Sequence, residues 1–179
     1  MSTSPTVWSR TFSAIRRVHL GMEAFAWHLA PPVLRVALAL PFLRSGLTRW
    51  DGFLSLSAGT QFLFEEQFRL HVFGGEYAFP APDQLALATA MAEIALPILL
   101  IVGLGTRLAA LGLLVMTGVI QLVFPDGWVN FHLYWAALAL SIIAIGPGVV
   151  SIDHWIAKGD VRLYPPEAAR CCAAAPRIG

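Results

Sequence analysis

The sequence predicts an all-α fold: a polytopic membrane four-helix bundle with an N-terminal amphipathic interfacial helix and an outer-face helical loop. Composition is the first reason. Of 179 residues, 57% are apolar and only 13% charged, against roughly 25% charged in soluble domains. The second reason is where the charges are missing: between Gln84 and Val149 the only charged residues are Glu93, Arg107 and Asp126. The third is length, because the apolar runs are each about the 20 residues that cross a hydrocarbon core of ~30 Å. A formal net charge of +1 excludes a nucleic-acid partner, which would need a clustered basic surface. The lipid bilayer is the expected partner.

Three regions follow along the chain: 1–32, an amphipathic interfacial helix; 33–156, the four-span membrane domain; and 157–179, a cytoplasmic tail. In the first, Trp8, Phe12, Ile15, His19, Met22, Phe25 or Ala26, and Leu29 recur at three- and four-residue steps, with Arg10, Arg16 and Arg17 on other faces. Such a helix suits an anionic membrane surface or a partner subunit. Pro31 and Pro32 are expected to end it.

The four spans are read as 33–50, 84–102, 106–124 and 129–145, the last stopped by Gly146-Pro147-Gly148. Arg10, Arg16, Arg17, Arg35, Arg107, Lys158, Arg162, Arg170 and Arg177 all fall on one side of them. By the positive-inside rule both termini are expected in the cytoplasm, with Trp50 and Trp128 at the outer interface and Trp155 at the inner one. The 51–83 loop is too aromatic for a tether, and 56–72 is expected to form a helix on the outer face, with Gly74-Gly75 as a break.

Glu93 is the residue that needs explaining, since an ionisable group within a membrane span usually faces the bundle interior or a wet cavity. Counted inward from the cytoplasmic ends at ~1.5 Å per residue, Arg44 lies ~16 Å deep and Glu93 ~15 Å deep, so the two are expected to pair. Ala86, Thr89, Ala90 and Pro97 share the face of Glu93, and small residues admit a close neighbour helix. Gln121 and His132 fall at ~22 and ~26 Å, nearer the outer interface. They continue a polar path outward, with Trp135 beside His132. The plainer account of Arg44 and Glu93 is an ion pair that fixes helix register.

Other chemistry finds little support. Glu65, Glu66, His71 and Glu76 match no specific metal spacing. Cys171 and Cys172 are adjacent near the C-terminus, where no disulfide framework or metal motif can be read. No nucleophile elbow, phosphate-cradling loop, matched haem histidine pair or iron–sulfur cysteine set is present. Redox work would therefore require a diffusible membrane quinone or another protein's cofactor.

The segments "RVALALPFLRSGLTR", "AEIALPILLIVGLGTRLAALGLL" and "HLYWAALAL" ending in "GPGVVSIDHWI" resemble the DoxX family of small four-span bacterial membrane proteins. The resemblance covers about residues 33–156. Within it "EYAFP", "VIQLVFPDGW" and "HLYWA" are similar to members encoded beside peptide-modifying multinuclear iron enzymes and metal-binding peptides. Matching positions are Arg35, Arg44, Gly46, Glu93, Thr106, Arg107, His132 and Asp153. The resemblance implies the bacterial inner membrane and links to quinone-coupled sulfur oxidation, thiol and oxidative-stress complexes, or metal stress.

Two functional readings follow. In the first the chain is an accessory subunit of a quinone-linked or metal and oxidative-stress system, at most a subunit of an oxidoreductase. Glu93, Arg44 and His132 would then do proton chemistry, with Gln121 and Trp135 against the cofactor, a quinone. In the second it is a non-enzymatic small-solute carrier, or a scaffold that recruits a partner protein or a further copy of itself.

Overall fold

A computed structural model describes residues 7–52 and 55–161. The order is α1 (Val7–Leu47), a two-stranded ribbon β1 (Trp50–Gly52) and β2 (Ser55–Leu56), α2 (Ala58–Phe62) running into a π-helical turn (Leu63–Gln67), a hairpin β3 (Arg69–Val72) and β4 (Gly75–Ala78), α3 (Pro82–Val102), α4 (Thr106–Val123), a 3-10 turn and π-helical turn over Pro125–His132, α5 (Leu133–Ile145) and α6 (Ile152–Val161). The tail residues 162–179, with Cys171 and Cys172, lie outside the described residues, as do the side chains of Trp8, Arg10 and Phe12.

Four helical segments, Ile15–Leu47, Pro82–Val102, Thr106–Val123 and Pro125–Ile145, are long and apolar enough to cross a membrane. They pack around a narrow core of Leu38, Phe42, Leu100, Leu113, Ala139 and Ile142. The opposite faces are equally apolar: on α4, Leu108 is 75% exposed and Val115 61%, with Leu111, Val119 and Leu122 on the same stripe. An apolar exterior around an apolar core requires lipid outside. The chain is a multi-pass membrane protein of the predicted helical class.

Two local expectations are corrected. Pro31 and Pro32 do not end a helix, because α1 runs unbroken from Val7 to Leu47 through both and through Pro41. Pro31 is buried against the Gly146–Gly148 stop, where a Cβ on Gly148 would come within 2.6 Å of the proline ring. Neighbouring protein thus holds the kink-prone turn, as membrane helices allow. The expected helix over 56–72 stops at Gln67, and Arg69–Ala78 forms an antiparallel hairpin pairing His71 with Glu76. Its turn is Phe73-Gly74, both at positive φ (50° and 80°), the geometry a two-residue hairpin needs. The ring of His71 anchors this hairpin to α4, through Nδ1 and the Leu122 carbonyl at 3.3 Å, and lies 3.5 Å from Glu76.

The α3–α4 turn is closed by Gly103 and Gly105, at φ 78° and 57°, which lets two spans reverse within three residues. Here a polar knot ties the bundle end. Asp153 accepts from the backbone N–H groups of Gly105 (2.7 Å) and Thr106 (2.8 Å), capping the N-terminus of α4. Arg35, 2% exposed, donates to the Val150 carbonyl. A Cβ on Gly103 would collide with its guanidinium.

Candidate functional site

Glu93 sits at the middle of α3 and is 1% exposed. Its partner is not the arginine expected. Arg49, two residues past the end of α1, holds the carboxylate bidentately: Nε donates to Oε2 at 2.5 Å and Nη2 to Oε1 at 2.7 Å. Ser45 adds a hydroxyl donor to Oε2 at 3.2 Å. Arg44 instead projects outward with Leu40 and Leu47, on the face of α1 opposite Phe42 and Gly46. Rotation decides the partner: Ser45 and Arg49, four residues apart, share the inward side that Arg44 lacks.

Close approach of α1 to α3 makes the pair possible. Pro97 has no N–H to offer the carbonyl four residues back, so the Glu93 carbonyl lacks its helical donor. Gly46 packs against that gap, where a Cβ would lie 2.9 Å from the Glu93 Cβ and 3.0 Å from its carbonyl oxygen. No larger residue fits without moving a helix.

The ion pair forms one wall of an apolar cavity of about 310 Å³ between α3 and α4. Leu85, Ala88, Thr89, Ala92 and Leu96 line it from α3, and Gly112, Val115, Met116, Val119 and Ile120 from α4. Phe64, Phe68 and Phe79 of the 50–80 segment close it at the end away from the α3–α4 turn. Small residues at 88, 92 and 112 open the gap between the helices. Ala88, Val115 and Val119 are exposed on the outer faces, so the cavity opens sideways toward lipid. The Arg49 guanidinium carbon lies 5.5 Å from the Phe64 ring centroid, a cation–π contact that orients it. Its Nη1 group has no acceptor among the described residues.

Gln121, His132 and Trp135 form a separate cluster between α4 and α5. His132 Nδ1 lies 2.6 Å from Gln121 Oε1, so Nδ1–H donates to the amide oxygen. Gln121 Nε2 donates in turn to the Pro125 carbonyl at 2.9 Å. Trp135 stacks at 5.5 Å from the His132 ring and 5.1 Å from Phe42. Among the described residues no hydrogen bond joins this cluster to Glu93, so the expected polar path is two separate clusters. Trp50 borders a groove together with Met91 and Ile94 of α3.

A family model, DoxX, matches residues 30–126, from the second half of α1 through the end of α4. The chain belongs to the DoxX family. The matched DoxX region contains Arg49, Glu93 and every residue lining the α3–α4 cavity, while His132, Trp135 and the Gly-Pro-Gly stop lie beyond it. No curated protein and no solved structure matches the chain. Among the described residues no group of three or more His, Cys, Asp or Glu could hold a metal ion.

Sequence reasoning missed Arg49 and the aromatic cover. The signal for Arg49 was present, since its spacing from Ser45 and Phe42 places it on the Glu93 side of α1.

Proposed function

We propose that this DoxX protein binds the headgroup of a membrane quinone in the α3–α4 cavity, as an accessory subunit of a redox or metal and oxidative-stress system in the bacterial inner membrane. The observation that carries it is a buried, bidentate Arg49–Glu93 pair set in the wall of an otherwise apolar cavity that opens to lipid. A ring-sized ligand fits about 310 Å³, near the small end of ligand sites. An isoprenoid tail would leave between Ala88 and Val115 into the bilayer.

A bound quinone supplies a lipid-soluble carrier of two electrons and two protons. The chain's own residues do the rest. Arg49 would donate a hydrogen bond from Nη1 to a ring oxygen while its Nε and Nη2 hold the Glu93 carboxylate in place. Glu93 would set a carboxylate beside the ring as a proton-exchange group, and Phe64, Phe68 and Phe79 would exclude water. Electrons come from a partner protein. Arg16, Arg17, Arg35, Arg107 and Lys158 on one side of the spans support a cytoplasmic location for both termini.

The test is a titration of purified protein with a short-chain quinone, read by tryptophan quenching. Saturable binding that Ala88→Phe abolishes supports the reading. Equal quenching in that variant removes it.

A second reading, recruitment of a partner protein, is favoured by the first half of α1. There Ile15, Val18, Met22, Phe25 and Trp27 are each more than 60% exposed and pack on nothing in the bundle core. Deleting residues 1–29 should then abolish partner capture while leaving quinone binding intact.

A further inference from the structure

Two opposite charges lie exposed beside the residues that hold Glu93. Arg44 is exposed and adjoins Ser45, which hydrogen-bonds Glu93. Asp51 is exposed and follows two residues after Arg49, which also holds Glu93. Both charges therefore adjoin residues that contact the central turns of α3, a costly region for an uncovered charge in a membrane. Neither has a hydrogen-bond or ion-pair partner among the described residues.

Their surroundings are apolar and unfinished. Arg44 continues the outward stripe of Val33, Val36, Leu40 and Leu47. Leu47 also borders a groove of about 530 Å³ formed by Trp50, Gly52 and the Met91, Ile94 and Ile98 flank of α3. The β1–β2 ribbon beside it pairs with no third strand among the described residues. Irregular backbone at membrane depth persists only where protein or water covers it.

We propose that this face is the interface of a homodimer, with a second copy of the chain as its occupant. A twofold axis along the membrane normal keeps every residue at its own depth, so Arg44 of one copy meets Asp51 of the other, and the reverse pair forms by symmetry. The α1 stripe of each copy then covers the groove and ribbon of its mate. This surface is on the opposite flank of α3 from the α3–α4 cavity, so dimerisation and ligand binding are separable.

The experiment is single-molecule photobleaching of the labelled full-length protein in liposomes over a range of protein-to-lipid ratios. The wild type is expected to give two-step bleaching that rises with density. Arg44→Asp and Asp51→Arg should each weaken association about tenfold or more, and the double reversal should restore it. If a single reversal does not insert, Arg44→Gln and Asp51→Asn carry the test, each weakening the dimer. A wild type that stays monomeric at all ratios overturns the proposal. So does an Asp51→Asn dimer of unchanged strength, which is the outcome expected if Arg44 is covered by a lipid headgroup instead.

Discussion

Arg49 reaches Glu93 with two parallel hydrogen bonds, of 2.5 and 2.7 Å, from the first residues after α1 to the midpoint of α3. The pair joins a helix end to a helix centre, so it fixes how deep α1 sits against α3. Breaking one side leaves the other charge buried. Arg49→Gln is expected to destabilise the folded protein by about 3 kcal/mol, and Arg49→Gln with Glu93→Gln by less than the sum of the single changes. Thermal unfolding in detergent of the two single variants and the double variant measures this coupling.

Gly46→Ala tests the helix contact itself. Its Cβ would meet Glu93 backbone at 3.0 Å, and backbone cannot swing aside as a side chain can. A loss of about 1–3 kcal/mol is expected, with a larger loss for Gly46→Val. Gly118, which has nothing within 4 Å of its Cβ position, serves as the control. Ala there should cost nothing measurable, since alanine is also the better helix former.

The cluster of Gln121 and His132 is expected to act on stability alone. Gln121→Leu removes the acceptor of His132 and the donor to Pro125, at a cost of about 1–3 kcal/mol for the groups left unpaired. Quinone affinity should stay at the wild-type value. A tenfold loss of affinity with unchanged melting temperature would return His132 to the site.

Asp153 gives the bundle an acid-sensitive joint. Burial pushes its carboxyl up, but the hydrogen bonds from Thr106 and Gly105 and the charge of Arg35 outweigh it, holding it below the ordinary carboxylate value. A depressed carboxylate stabilises fully above its unfolded value and loses that contribution as pH falls through the folded value. Melting temperature should therefore drop between about pH 4 and lower values in the wild type. Asp153→Asn should melt lower at pH 7 and show a shallower acid dependence.

Span number, three of the span limits and the burial of Glu93 inside the bundle were legible in the sequence because lipid leaves so few ways to place a charge or a run of apolar residues. The expected start of the third span, Thr106, and the expected ends of the second and fourth, Val102 and Ile145, coincide with the observed limits. Proline misled the reading of α1, since its helix-breaking cost depends on what packs around it, and Gly148 packs there. The Glu93 partner was missed because depth was counted without rotation: Arg44 and Arg49 are 500° apart along an ideal helix, on different faces. The 50–80 segment was least legible, as its strands are two to four residues long and its position is set by contacts with α3 and α4.

Photolabelling with an azido-quinone, followed by mass-spectrometric mapping of the modified residues, addresses the ligand site most directly. Labels confined to residues 85–96 of α3 and 112–123 of α4, competed away by unlabelled quinone and lost in Ala88→Phe, are the expected result. Labelling that is absent, that resists competition, or that falls on His132 and Trp135 while sparing the α3 wall would contradict a quinone site at the Arg49–Glu93 pair.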